Sequence, residues 1–135
     1  MIESKHTSAA AAATKRVLLV GHCGPDSNYL RGAVRSALPS AAVTLADDPK
    51  TLQDALDDGV DLVHFNRELG YDFDGTMGVD LIRTLKQQRP QLRTMLVTNY
   101  PDAQAAAIAA GAHPGFGKRE IGSKRVVELL RDALK

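Results

Sequence analysis

Tryptophan is absent from this sequence, and the aromatic share is only 4%, which leaves few stacking platforms of the kind that hold single-stranded nucleic acid. Cysteine occurs once, as Cys23, so an internal disulfide is excluded. No apolar run is long enough to span a bilayer or to form the core of a signal peptide. Cytoplasm is the expected compartment. Nor is charge of one sign in excess. Seventeen Lys and Arg stand against sixteen Asp and Glu, a formal net charge of +1, too little to draw nucleic acid or a membrane surface over a distance. A phosphate-binding glycine fingerprint is missing too, because Gly21, Gly24, Gly70, Gly75 and Gly78 lack its spacing and its lysine. They read as turn glycines.

What is present is a chain of 135 residues with 44% hydrophobic content, enough for one domain with a single continuous core. Residues 1–14 combine a polar opening with an alanine run that has no apolar periodicity, so they read as a mobile tail. The domain then spans 15–135. Val17-Leu18-Leu19-Val20 is a short aliphatic strand closed by Gly21, and Asp26 or Ser27 is placed to cap a helix carrying Tyr29, Leu30, Ala33, Val34, Ala37 and Leu38. The plan repeats. Strand patterns cover 41–46, 61–66, 93–98 and 116–119, and helical patterns follow Asp47-Asp48-Pro49, Gly78, Asp102 and Ser123. Five strands alternating with five helices over short connections call for a doubly wound parallel sheet covered on both faces, a flavodoxin-like three-layer α/β sandwich.

The third strand, Asp61-Leu62-Val63-His64-Phe65-Asn66, organises the rest. Apolar residues on both of its faces mark a central parallel strand, and ligands gather beyond the carboxyl ends of such strands. Asn66 therefore stands where chemistry is expected. Beyond it, residues 67–77 form a long loop.

In order and spacing, the chain resembles a response-regulator receiver domain (CheY-like). The resemblance is carried by Arg16 to Val20, by Asp61 to Phe65, by Gly78-Val79-Asp80-Leu81-Ile82, by Leu96-Val97-Thr98, and by Gly111-Ala112 with Gly115-Phe116-Gly117-Lys118. It implies a place in two-component phosphorelay signalling rather than catalysis of a metabolic reaction. The family's phosphotransfer site needs an acidic pair after the first strand, an aspartate nucleophile after the third, a hydroxyl after the fourth and a lysine after the fifth. The carboxylates hold a hard divalent cation, one of them accepts the phosphoryl group, and the hydroxyl and ammonium hold the resulting anion.

Carried over position by position, the resemblance places Gly21 and His22 at the acidic pair and Asn66 at the nucleophile, while Thr98 and Lys118 are retained. An amide has no anionic oxygen to attack phosphorus, and a site without carboxylates gives Mg²⁺ little reason to shed water. The expectation is a pseudo-receiver with no Mg²⁺ and no other cofactor. Lys118 then needs a new partner, and Glu68, Asp72 or Asp74 of the long loop are candidates, with Tyr71 and Phe73 as a lid; the alternative is a loop left in solvent. The resemblance also implies an interaction face on the fourth helix, fifth strand and fifth helix, for which Tyr100, Gln104, Ile108, Phe116, Lys118 and Arg119 are the candidates, serving a signalling partner or self-association.

Two other constellations carry possible chemistry. Cys23, between a strand and a helix start, suits a thiol enzyme or a cysteine phosphocarrier of similar layout, where the helix dipole would favour a thiolate. A phosphatase of that kind needs arginine at position 29, which is Tyr. His22, Cys23 and His64 are metal-capable residue types, but His64 shares a strand face with Asn66 at greater depth, and a hydrogen-bonded core histidine is the expected role.

Overall fold

The computed structural model describes residues 14–135. The expected tail therefore falls, but for Thr14, outside the described residues. The elements run β1 (Arg16–Val20), α1 (Gly24–Ala37), β2 (Ala42–Ala46), α2 (Pro49–Asp58), β3 (Leu62–Asn66), a 3₁₀ turn (Tyr71–Phe73), α3 (Gly78–Gln88), β4 (Thr94–Val97), α4 (Pro101–Ala109), β5 (His113–Phe116), a second 3₁₀ turn (Lys118–Glu120) and α5 (Lys124–Ala133). All strand pairs are parallel, in the order β2-β1-β3-β4-β5. This is the three-layer, doubly wound architecture that the alternation of patterns implies.

Strand alternation divides the core into two. Val17, Leu19, Leu62, Met95, Val97 and Phe116 face α1 and α5 and pack on Leu30, Val34, Val126 and Leu130. Leu18, Val20, Val63, Phe65 and Leu96 face the opposite way onto α2, α3 and α4. β1, β3 and β4 are buried on both faces, so after the exposed Arg16 that opens β1 they read as mainly apolar runs, broken only by His64 and Asn66 in β3 and by Thr94 in β4. His64 and Asn66 fall on the α1/α5 side by the same two-residue period.

Helix starts follow local chemistry. Asp48 caps α2 by accepting from the Thr51 amide at 2.7 Å, and Ser123 caps α5 by accepting from Val126 at 3.4 Å. At α1 the expectation needs correcting. The helix starts earlier, with Cys23 as its N-cap and Pro25 in the first turn, which leaves Asp26 and Ser27 inside the helix and frees the Asp26 carboxylate for another role.

The edge strand β5 also departs from the sequence pattern. It spans His113–Phe116 rather than 116–119, and its pairing with β4 is broken between Met95 and Val97. Pro114 lacks an N–H, and a Cβ on Gly115 would lie 2.2 Å from the Leu96 carbonyl oxygen. The Gln104 amide fills the gap: its Nε2 donates to Leu96 O at 2.9 Å and its Oε1 accepts from Gly115 N at 3.2 Å. A side chain of α4 thus replaces the ladder bonds that the irregular strand gives up.

Candidate functional site

Parallel strands deliver their carboxyl ends to one edge of the sheet, which brings together Gly21 and His22 after β1, Asn66 ending β3, Thr98 after β4 and Lys118 after β5. A cavity of about 310 Å³ opens there, lined by Asn66, Arg67, Glu68, Val97, Thr98, Asn99, Tyr100 and Lys118. Asn66, Thr98 and Lys118 meet in one pocket. Gly21 and His22 lie beside it rather than in its lining.

Asn66 serves as a brace. Its Nδ2 donates to Gly21 O at 3.2 Å and to Glu68 O at 3.0 Å, so both amide hydrogens are spent tying β1 and the following loop to the end of β3. Gly21 has a positive φ of 78°, and a Cβ there would meet Leu69 Cδ2 at 2.8 Å. Leu69, itself buried, occupies the space a longer residue at position 21 would require. His22 is buried too, its Nε2 within 3.1 Å of His64 O. Burial lowers its pKa to about 4; the hydrogen bond to His64 O opposes this, and the charge of Lys118 adds to it.

The long loop is ordered by its own backbone bonds. Leu69 N donates to Thr76 O, Gly75 N to Gly70 O, and Gly78 N to Arg67 O at 2.8 Å, while Glu68 and Met77 form an antiparallel bridge. Gly78 has to be glycine at this closure, since a Cβ would come within 2.2 Å of Asn66 O. Leu69 and Phe73 are buried against the α2/α3/α4 side of the core. The Tyr71 side chain lies outside what is described.

The loop carboxylates do not meet Lys118. Glu68 pairs with its neighbour Arg67 at 2.7 Å, and Asp72 and Asp74 are exposed. The partner is Asp26, whose Oδ2 accepts from Lys118 Nζ at 2.5 Å across a sequence separation of 92 residues. Both side chains are largely covered, at 35% and 27% exposure. The Lys118 hydrogen bond holds the Asp26 carboxyl below the usual carboxylate range. Sequence reasoning assigned Asp26 to a helix cap and so missed it, although it is the single carboxylate between Lys15 and Ala46.

Asn99 and Gly117, also missed, position Lys118. Asn99 Oδ1 accepts from Arg119 N at 3.3 Å, and this carboxamide presses so closely on Gly117 that no Cβ fits. Glu120 accepts from Gly117 N at 2.9 Å and is itself paired with Arg125. Thr98 Oγ1 accepts from Tyr100 N at 3.2 Å, which leaves its hydroxyl hydrogen available to a ligand.

The donor set does not suit a hard divalent cation. Asn66 offers one amide oxygen, Glu68 is taken by Arg67, and Asp26 is taken by Lys118. Among the described residues no three His, Cys, Asp or Glu side chains cluster in a metal-holding arrangement. His64 is fully buried, and neither of its ring nitrogens has a hydrogen-bond partner among the described residues, which corrects the expectation of a hydrogen-bonded core histidine. Its ring instead meets Phe116 edge to face at 5.8 Å.

The proposed interaction face divides likewise. Tyr100 and Ile108 are exposed, with the Arg67 guanidinium 4.7 Å over the Tyr100 ring. Arg119 is exposed as well. Phe116 is only 1% exposed because β5 turns it into the core beside His64, so it does not belong to a surface, and half-buried Gln104 directs its amide into the sheet edge. Cys23 is exposed at the start of α1. No helix among the described residues is long and apolar enough to cross a membrane.

No protein-family model matches this sequence, and no curated protein matches it. Its fold is similar to that of solved receiver domains. The signal receiver domain of a DNA-binding response regulator from Colwellia psychrerythraea 34H is 17% identical, with 87% of this chain and 96% of that chain covered at a TM-score of 0.69. The receiver domain of NtrX from Brucella abortus is 20% identical over 89% of this chain and 98% of that one, with a TM-score of 0.67. The signal receiver domain of an HD domain-containing protein from Pseudomonas fluorescens Pf-5 is 23% identical over 90% and 87%, also at 0.67. At these identities the likeness is one of fold.

Proposed function

We propose that this chain is an atypical receiver domain of a response-regulator signalling pathway, not an enzyme, which takes no phosphoryl group on aspartate and acts through protein contacts in the cytoplasm. The observation that carries this reading is Asn66. The residue at the reactive end of the central strand is a carboxamide whose hydrogens are committed to Gly21 O and Glu68 O. Such a group neither attacks phosphorus nor binds Mg²⁺ as a carboxylate does. Gly21, packed against Leu69, and buried His22 supply no carboxylate from the end of β1. The fold likeness to receiver domains supports the signalling class. Incubation with acetyl phosphate and Mg²⁺ is expected to give no adduct by intact mass. A stoichiometric, acid-stable and base-labile phosphoryl adduct would overturn the reading.

The contact face we assign is the outer side of α4, where Tyr100 and Ile108 are exposed on a helix whose remaining outward residues are mostly alanine. A helix without a polar side is ordinarily covered. Ile108→Arg is expected to leave thermal stability within about 0.5 kcal/mol of the parent, as exposed substitutions do, while abolishing concentration-dependent association or binding of the signalling partner. Unchanged association on sedimentation analysis and unchanged partner binding would move the contact elsewhere.

A further inference from the structure

The pocket contains two cations, and each is already neutralised from within the chain: Arg67 by Glu68 and Lys118 by Asp26. The two pairs differ in kind. Arg67 and Glu68 are adjacent in sequence, whereas Asp26 reaches Lys118 from the first turn of α1, on the far side of β3 and β4 from β5. We propose that Asp26 is a built-in competitor for this pocket, its carboxylate holding the Lys118 ammonium so that a free oxyanion gains the pocket only when that carboxylate is removed.

The remaining polar groups favour this arrangement. Asn66 has spent both donors on Gly21 O and Glu68 O, so what it can still offer a ligand is an acceptor oxygen, which repels an anion. Thr98 contributes one hydroxyl hydrogen. Lys118 is then the pocket lining's main attraction for an oxyanion, and the short contact to Asp26 cancels it. The same contact ties the start of α1 to the segment after β5, so the pocket's charge state is coupled to how these two pieces of chain sit together. The inference rests on the reading of the site as a receiver pocket without a phosphoacceptor.

Inorganic phosphate is the probe, titrated while the backbone amide resonances of Thr98 and Asn99 are followed by NMR. The wild-type protein is expected to show no saturable shift at millimolar phosphate. Asp26→Asn, which keeps the shape of the side chain, is expected to bind at least about tenfold more tightly, since a freed ammonium gains a charge-assisted bond. Adding Lys118→Ala to that variant should remove the gain, and Asp54→Asn on the exposed face of α2 should not reproduce it. Equal affinity of wild type and Asp26→Asn, or a gain that persists without Lys118, would overturn the inference. Should Asp26→Asn unfold, saturable phosphate binding by the wild type at Thr98 and Asn99 serves as the refuting result. None of these outcomes depends on a covalent adduct, which tests the broader reading separately.

Discussion

Replacing His64 with leucine is expected to stabilise the protein at neutral pH and to remove much of its sensitivity to acid. His64 lies in the middle of the sheet, in register between Leu19 and Met95, fully buried, with both ring nitrogens unpartnered among the described residues. An unsatisfied polar group in such a place costs about 1–3 kcal/mol, and leucine fills similar space against Phe116 without that cost. Stability should therefore rise by about 1–2 kcal/mol at pH 7 in urea denaturation.

The acid limb follows from linkage. Burial lowers the His64 pKa from 6.5 to about 3, with the charge of His22 as a lesser cause, and lowers that of His22 to about 4. A lowered folded-state pKa means that the unfolded chain binds the proton first. The stability is thus present above pH 6.5 and is lost as pH falls towards the folded values. By pH 4 the loss is roughly 3 kcal/mol for each histidine, at 1.36 kcal/mol per unit, a large fraction of the 5–15 kcal/mol that holds a typical domain together. His64→Leu should halve the loss. A variant that is less stable by the same amount at every pH would show that the ring nitrogens are satisfied.

How much of this was legible beforehand depends on whether a feature is local or set by topology. The strands were, because burial on both faces leaves runs such as Val17 to Val20 without polar interruption, and a parallel sheet followed from their alternation with helices. The convergence of Asn66, Thr98 and Lys118 followed too, since each ends or follows a strand. Asp26 was not legible as the partner of Lys118. Its role depends on α1 starting at Gly24, two residues before it, which turns the carboxylate from a cap into a side chain aimed across the sheet's edge. Phe116 was misplaced for a related reason. An irregular edge strand shifts which residues face inwards, and the pattern around His113-Pro114-Gly115-Phe116 is too short to reveal the slip. The loop carboxylates failed as candidates because Leu69 and Phe73, not the acids, anchor residues 67–77 to the domain.

That anchoring bears on the simplest attempt to introduce a carboxylate nucleophile at this strand end, Asn66→Asp, which is expected to cost stability and to gain no chemistry. The two carbonyl oxygens that now accept from Asn66 Nδ2, those of Gly21 and Glu68, would instead face a carboxylate. Losing both bonds and placing acceptor against acceptor should cost roughly 2–4 kcal/mol. Attraction to Lys118 across the pocket offsets a part, but only in competition with Asp26. Because repulsion by the carbonyls favours the protonated acid, the deficit relative to wild type should shrink as pH falls from 7.5 to 5.5, the opposite sign to the histidine effect. Phosphoryl transfer needs a cation at the nucleophile, and position 21 has no room for a carboxylate while Leu69 lies 2.8 Å from where its Cβ would be. An Asn66→Asp protein as stable as wild type, and phosphorylated by acetyl phosphate in Mg²⁺, would mean that the brace is dispensable and that the loop yields to the metal.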